Sequence, residues 1–95
     1  MALADEAVPA RIAARLSLVR EAHGLTQTEF ARRAGLGVSA WNNYESGRKR
    51  ISIDAAIALC ETYNLTLDYI YLGDASNLPH KLATAIDSVN NLRKG

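Results

Sequence analysis

The side chains that could do chemistry gather between Val38 and Arg50. Asn42 and Asn43 carry amides, each a donor and an acceptor in one plane. That pair matches N6 and N7 on the major-groove edge of adenine. Ser39 adds an adaptable hydroxyl, and Val38 a surface that suits a thymine methyl group. Just beyond, Arg48, Lys49 and Arg50 are three consecutive cations, the residue types that hold phosphates. Adjacent asparagines on an exposed helix face are otherwise poorly explained, since asparagine is a mediocre helix former. A local sacrifice of that kind is expected at a functional site. No nucleophile stands with a base, and no glycine-rich phosphate loop occurs. His23 and His80 are isolated and make no zinc motif. Neither an enzyme, a metal nor a cofactor is expected.

These groups need a rigid frame, and the stretch from Leu25 to Gly47 supplies one. Thr26 is a good N-cap, and Glu29 three residues later completes a capping box. Leu25 and Phe30 sit at the positions of a hydrophobic staple. The spacing predicts a helix over 27–34, stopped by Gly35, because glycine takes a left-handed backbone without penalty. Gly37 then serves as the cap of a second helix over 38–46, which ends at Gly47. On that helix Trp41, Tyr44 and Glu45 share one face, while Val38, Ser39, Asn42 and Asn43 lie toward the other. Two short helices across a tight turn form the pattern of a helix-turn-helix, whose second helix enters the major groove. Trp41 is read as core rather than as a base-stacking group.

The flanking segments read as further helices. Pro9 suits a first helical turn, and Ile12, Leu16 and Val19 make an apolar stripe that runs toward His23 and Gly24. Ser52 caps the next helix, whose apolar positions are Ala56, Ile57, Leu59, Cys60 and Tyr63, and Asn64 ends it. Thr66 caps a short fifth helix with Leu65 and Ile70 as a staple, and Leu67 and Ile70 are expected to close the core. Tyr69 and Tyr71 cannot both be buried at their spacing. After a loop at 74–77, Pro79 starts a last helix to about Arg93, with Leu82, Ile86 and Val89 as its apolar stripe. Residues 1–8 read as a loose arm. The expected fold class is all-α: a compact bundle of five helices over 9–73, with an added C-terminal helix over 78–93.

Length and charge agree. Ninety-five residues fit one domain with one modest core. The net charge is only +1, but residues 11–50 hold eight Arg or Lys against three Glu. The basic excess therefore sits in the part that would meet phosphates. No stretch approaches the roughly 18 apolar residues of a membrane span, and the N-terminus lacks the form of a signal peptide. A cytoplasmic location is expected. The single Cys60 reads as a small buried hydrophobe.

The pattern closely resembles the XRE family, the DNA-binding domains similar to the phage lambda repressor. The likeness is carried by Leu25, Thr26, Gln27, Glu29, Ala31, Gly35, Ser39, Glu45, Gly47, Ser52, Leu59, Leu65, Leu67 and Asp68, and extends from about Arg11 to Leu72. It implies a transcriptional regulator, a repressor on a palindromic operator, bound to double-stranded DNA as a homodimer. Val38, Ser39, Asn42 and Asn43 would contact bases, and Gln27, Ser46, Arg48, Lys49 and Arg50 the DNA backbone, with Gln27 also bracing side chains of the recognition helix. It also implies that Arg20 pairs with Glu45. The family often has polar residues where this chain has Gly37 and Val38, which points to more apolar or shape-based readout. The seam of the dimer is expected along Leu82, Ile86 and Val89, helped by Tyr69 or Tyr71. The alternative keeps those residues in the core of the single chain. Two other functions stand beside the regulator: an antitoxin that binds a toxin and represses its own operon, and a protein-interaction module without DNA binding.

Overall fold

Six α-helices and one 3-10 turn make up the regular structure of residues 5–94, the part of the chain described by the computed structural model. The 3-10 turn is Asp5–Ala7, and the helices are α1 Pro9–Ala22, α2 Gln27–Arg33, α3 Val38–Glu45, α4 Ile53–Tyr63, α5 Leu67–Leu72 and α6 His80–Lys94. No strand occurs among the described residues. The all-α bundle expected from the sequence is the fold observed.

Local signals explain most of the boundaries. Glu29 N donates to Thr26 Oγ1 at 3.2 Å, and Thr26 N donates back to Glu29 Oε1 at 3.0 Å. That reciprocal pair satisfies two free donors at the start of α2. The backbone and hydroxyl bonds of Thr26 hold the Glu29 carboxyl below its ordinary range. Ser52 and Thr66 cap α4 and α5 by accepting from Ala55 N and Tyr69 N. Gly35 turns the chain between α2 and α3 at φ +72, a backbone an L side chain rarely adopts.

The core lies between α1 and the four helices that follow it. Ile12, Leu16 and Val19 of α1 are fully buried with Phe30, Trp41, Leu59 and Ile70. Aromatic packing joins three helices. The Phe30 and Tyr63 rings stack with centroids 4.0 Å apart, and Trp41 lies 4.9 Å from Phe30. Tyr63 Oη also donates to the Phe30 carbonyl at 2.7 Å, so α4 grips α2 by ring and by hydrogen bond.

Several expectations change in three dimensions. Ile57 is 43% exposed and Leu67 38%, so neither closes the core. Both sit on the flank of a short helix whose buried arc is already filled by Leu59 and Tyr63, or by Tyr69 and Ile70. Tyr69 is the buried tyrosine of its pair, while Tyr71 is half-buried and donates to the Ile51 carbonyl at 2.8 Å. Cys60 is half-buried rather than fully enclosed, and burial pushes its thiol pKa up. Residues 5–8 are no loose arm: Asp5–Ala7 form the 3-10 turn, and Glu6 meets Arg11 and Arg15. Residues 1–4 of the expected arm lie outside the described residues.

The C-terminal helix packs along α1. Ile86 is only 6% exposed within the single chain, Leu82 rests half-buried on the core, and Leu78 before the helix is buried as well. Arg93 fastens the far end through Glu21 at 2.7 Å and Ser17 Oγ at 2.7 Å. The residues expected to form a dimer seam are thus largely spent on the chain's own core. The physical reason is that α1 still has apolar surface, such as Leu18, left over after the motif has packed on it.

Candidate nucleic-acid interface

The turn between α2 and α3 is held from behind by one carboxylate. The Glu45 side chain is 6% exposed, and its two oxygens accept four hydrogen bonds. Arg20 of α1 donates through Nε to Oε1 at 2.8 Å and through Nη2 to Oε2 at 3.0 Å. Gln27 of α2 donates to Oε2 at 2.8 Å, and Trp41 of α3 donates through Nε1 to Oε1 at 3.0 Å. Arg20 Nη1 also donates to the Leu25 carbonyl at 2.9 Å, which fixes the lead into α2. Burial pushes the Glu45 pKa up, but the bonds from Arg20, Gln27 and Trp41 and the Arg20 charge outweigh it, and the net shift is downward. Three helices therefore meet at a charge that is both desolvated and fully partnered.

Arg20 and Glu45 thus meet as the resemblance implied. Gln27 braces a recognition-helix side chain, one of the two roles the resemblance implies, since its amide nitrogen donates to Glu45. The Trp41 to Glu45 bond is not among the sequence expectations. Its signal was visible, since residues four apart on a helix share a face and a buried indole N–H needs an acceptor.

The opposite side of α3 is the open one. Ser39 is exposed and Val38 is half-buried at the helix start. Asn42 and Asn43 are half-buried rather than freely exposed. Asn42 Oδ1 is buried and has no hydrogen-bond partner, so this amide does not present a free donor–acceptor pair to solvent. Asn43 Oδ1 accepts from Arg48 Nε at 3.0 Å.

The basic loop folds back on the helix end. Ser46 Oγ and Lys49 N both donate to the Asn43 carbonyl, at 3.2 and 3.1 Å. Arg48, Lys49 and Arg50 are all exposed, but they are not equivalent. Arg50 Nε donates to the Ala7 carbonyl at 2.9 Å and so anchors the N-terminal turn. Lys49 makes no ion pair among the described residues. Arg15, one of the eight basic residues of the 11–50 stretch, is instead buried behind α5.

No group of three or more His, Cys, Asp or Glu among the described residues is placed to hold a metal ion. No helix among them is long and apolar enough to cross a membrane.

Two short helices locked at a turn, with the second open on its outer side, define a helix-turn-helix. The sequence profile of the helix-turn-helix domain matches residues 11–69, and the chain belongs to that family. It is 34% identical over 56 residues to an uncharacterized HTH-type transcriptional regulator, YobD, of Bacillus subtilis (strain 168), a match covering 59% of this chain and 50% of that protein. It is 31% identical over 55 residues to the antitoxin PezA of Streptococcus pneumoniae serotype 4, covering 58% of this chain and 35% of that protein. The matched region thus spans half or less of the length of either relative. No solved structure matches the chain.

Proposed function

We propose that this chain is a DNA-binding transcriptional regulator that lays α3 in the major groove and represses by occupying a palindromic operator as a dimer. The observation that carries the reading is the Glu45 junction. It spends a buried charge on fixing the angle between α2 and α3, which is the geometry that groove insertion demands. Ser39 is then exposed, and Val38 and Asn43 half-exposed, at the helix start and middle, with Arg48 and Lys49 exposed just beyond the helix end for phosphates.

A dimer suits this reading because one module buries only about 600–1,000 Å² on DNA. Two copies related by a two-fold axis would read half-sites about 34–36 Å apart or a multiple of that. Apart from Leu92 near the end of α6, the large apolar side chains left exposed among the described residues are Ile53 and Ile57 of α4 and Leu67 and Leu72 of α5. We place the contact with the second copy there. The similarity to an antitoxin favours one further reading, in which a protein partner binds the same chain while it represses its own operon.

Selection from a random DNA pool tests the proposal. One enriched motif with two inverted half-sites is expected. Lys49→Ala should weaken all DNA alike and make the salt slope shallower by about one. Failure to enrich any sequence over competitor DNA would refute DNA reading, and a single asymmetric half-site bound by a monomer would refute the dimer.

A further inference from the structure

A cavity of about 300 Å³ lies between α1, α5, α6 and the loop that joins the last two helices. Small-molecule sites start at about that size. The cavity shares no lining residue with α3 or the basic loop. Leu18, Leu78 and Ile86 give it an apolar wall. Its charged lining residues are Glu6, Arg15 and Asp87, and two of these balance each other. Arg15 Nη1 lies 3.5 Å from Glu6 Oε1, and the same guanidinium donates to the Ile70 and Glu6 carbonyls. Gly73 leaves room for that arrangement, since a Cβ there would stand 3.1 Å from Arg15 Nη1. Asp87 is exposed and makes no ion pair among the described residues, so one carboxylate at the cavity is uncompensated.

Tyr69 adds a second, independent feature. It lines the same cavity and is only 5% exposed, yet its hydroxyl makes no hydrogen bond among the described residues; only its backbone N–H is engaged, by Thr66. A buried tyrosine hydroxyl ordinarily finds a partner. Tyr63, the other buried tyrosine, does so at the Phe30 carbonyl. Burial raises the Tyr69 pKa, Arg15 opposes the rise and Asp87 adds to it, so the phenol stays protonated within the field of the Asp87 charge. An uncompensated carboxylate, a phenol oxygen without a donor and an apolar wall together complement an ammonium group on a short hydrocarbon chain. We propose that this cavity binds a small alkylammonium ion, whose N–H groups donate to the Asp87 carboxylate and the Tyr69 hydroxyl oxygen while its chain lies against Leu18, Leu78 and Ile86. The proposal stands apart from the DNA-binding reading and adds a ligand site to the same chain.

Titration of the whole chain with n-butylammonium at fixed ionic strength, followed by NMR, tests the site. Saturable shifts centred on Tyr69, Leu78, Ile86 and Asp87 are expected, with a dissociation constant on the order of millimolar for so small a ligand. n-Butanol and butyrate carry the same chain with a neutral or an anionic head, and both should bind at least about tenfold more weakly. Asp87→Asn should weaken butylammonium binding by about tenfold or more, and Tyr69→Phe by roughly three- to tenfold. Neither variant should lose stability: Asp87 is exposed, and the Tyr69 hydroxyl has no bond to lose, so both should melt at or above the wild-type temperature. Butyrate bound more tightly than butylammonium would assign the cavity to Arg15 and overturn the proposal. Binding that survives either substitution unchanged, or shifts that never saturate, would overturn it too. A sharp loss of stability in Tyr69→Phe would show that the hydroxyl is already partnered within the fold, with the same consequence. None of these outcomes bears on whether the chain selects DNA, so the two readings fail separately.

Discussion

Arg15 and Arg20 leave the same helix five residues apart, and both are drawn inward, but they end in different surroundings. Arg20 meets a buried carboxylate in a two-bond fork, and Glu45 has further donors from Gln27 and Trp41. Arg15, 9% exposed, is satisfied mainly by carbonyls: Ile70 O at 3.0 Å through Nε, and Glu6 O through Nη2. Its one carboxylate neighbour, Glu6 at 3.5 Å, is itself 45% exposed. Burial lowers the Arg15 pKa, whereas the hydrogen bond to Glu45 raises that of Arg20. One guanidinium sets the geometry of the motif, and the other ties the N-terminal turn and α5 to α1. The difference teaches that a buried cation needs a full set of acceptors, and that a buried anion among them makes the junction far more sensitive to loss of either partner.

The largest expected effect breaks that contrast at its strong end. Arg20→Ala strands the Glu45 charge and should cost about 3–5 kcal/mol in urea denaturation. A cost below about 1 kcal/mol would place this junction with ordinary surface pairs instead. Arg15→Ala leaves carbonyls rather than a carboxylate unpaired, so about 1–3 kcal/mol is expected. Its signature should be local: faster hydrogen exchange in α5 and residues 5–8, with α3 protection unchanged. Equal loosening of α3 would erase the distinction.

Acid separates the two sites without removing either arginine. The Glu45 pKa is lower folded than unfolded, so its contribution is present above the unfolded value of about 4.3 and is lost as pH falls through the folded value. Glu45→Gln should be less stable at neutral pH but show a flatter decline in acid than wild type. Arg15→Ala should keep the wild-type acid slope. Glu29 and Asp74 also have lowered values and persist in both variants, so the comparison isolates Glu45. The smallest effect belongs to Arg93→Ala at the exposed pair with Glu21, where a loss within about 1 kcal/mol is expected in thermal melts.

Much of the fold was legible because its signals are local. The capping box of Thr26 and Glu29 involves residues three apart, and the left-handed end at Asn64 depends on one residue's own backbone. Ile12, Leu16 and Val19 recur at helical spacing, so one buried face follows from the sequence alone. The candidate site was legible in a coarser way. The chain shows which side chains of α3 point away from Trp41 and Glu45, but not that Asn42 turns its oxygen inward or that Arg48 engages Asn43.

The sequence by itself determined the helices, their caps, the turn and the charge asymmetry, since each depends on groups a few residues apart. Tertiary structure alone decided where α6 would spend Ile86, which tyrosine of α5 would be buried, and that Arg15 would leave the basic face. It also decided that Gln27 and Trp41 would share Glu45 with Arg20. Those outcomes depend on which acceptors and apolar surfaces remain after distant helices have packed, and that remainder exists only once the chain has folded.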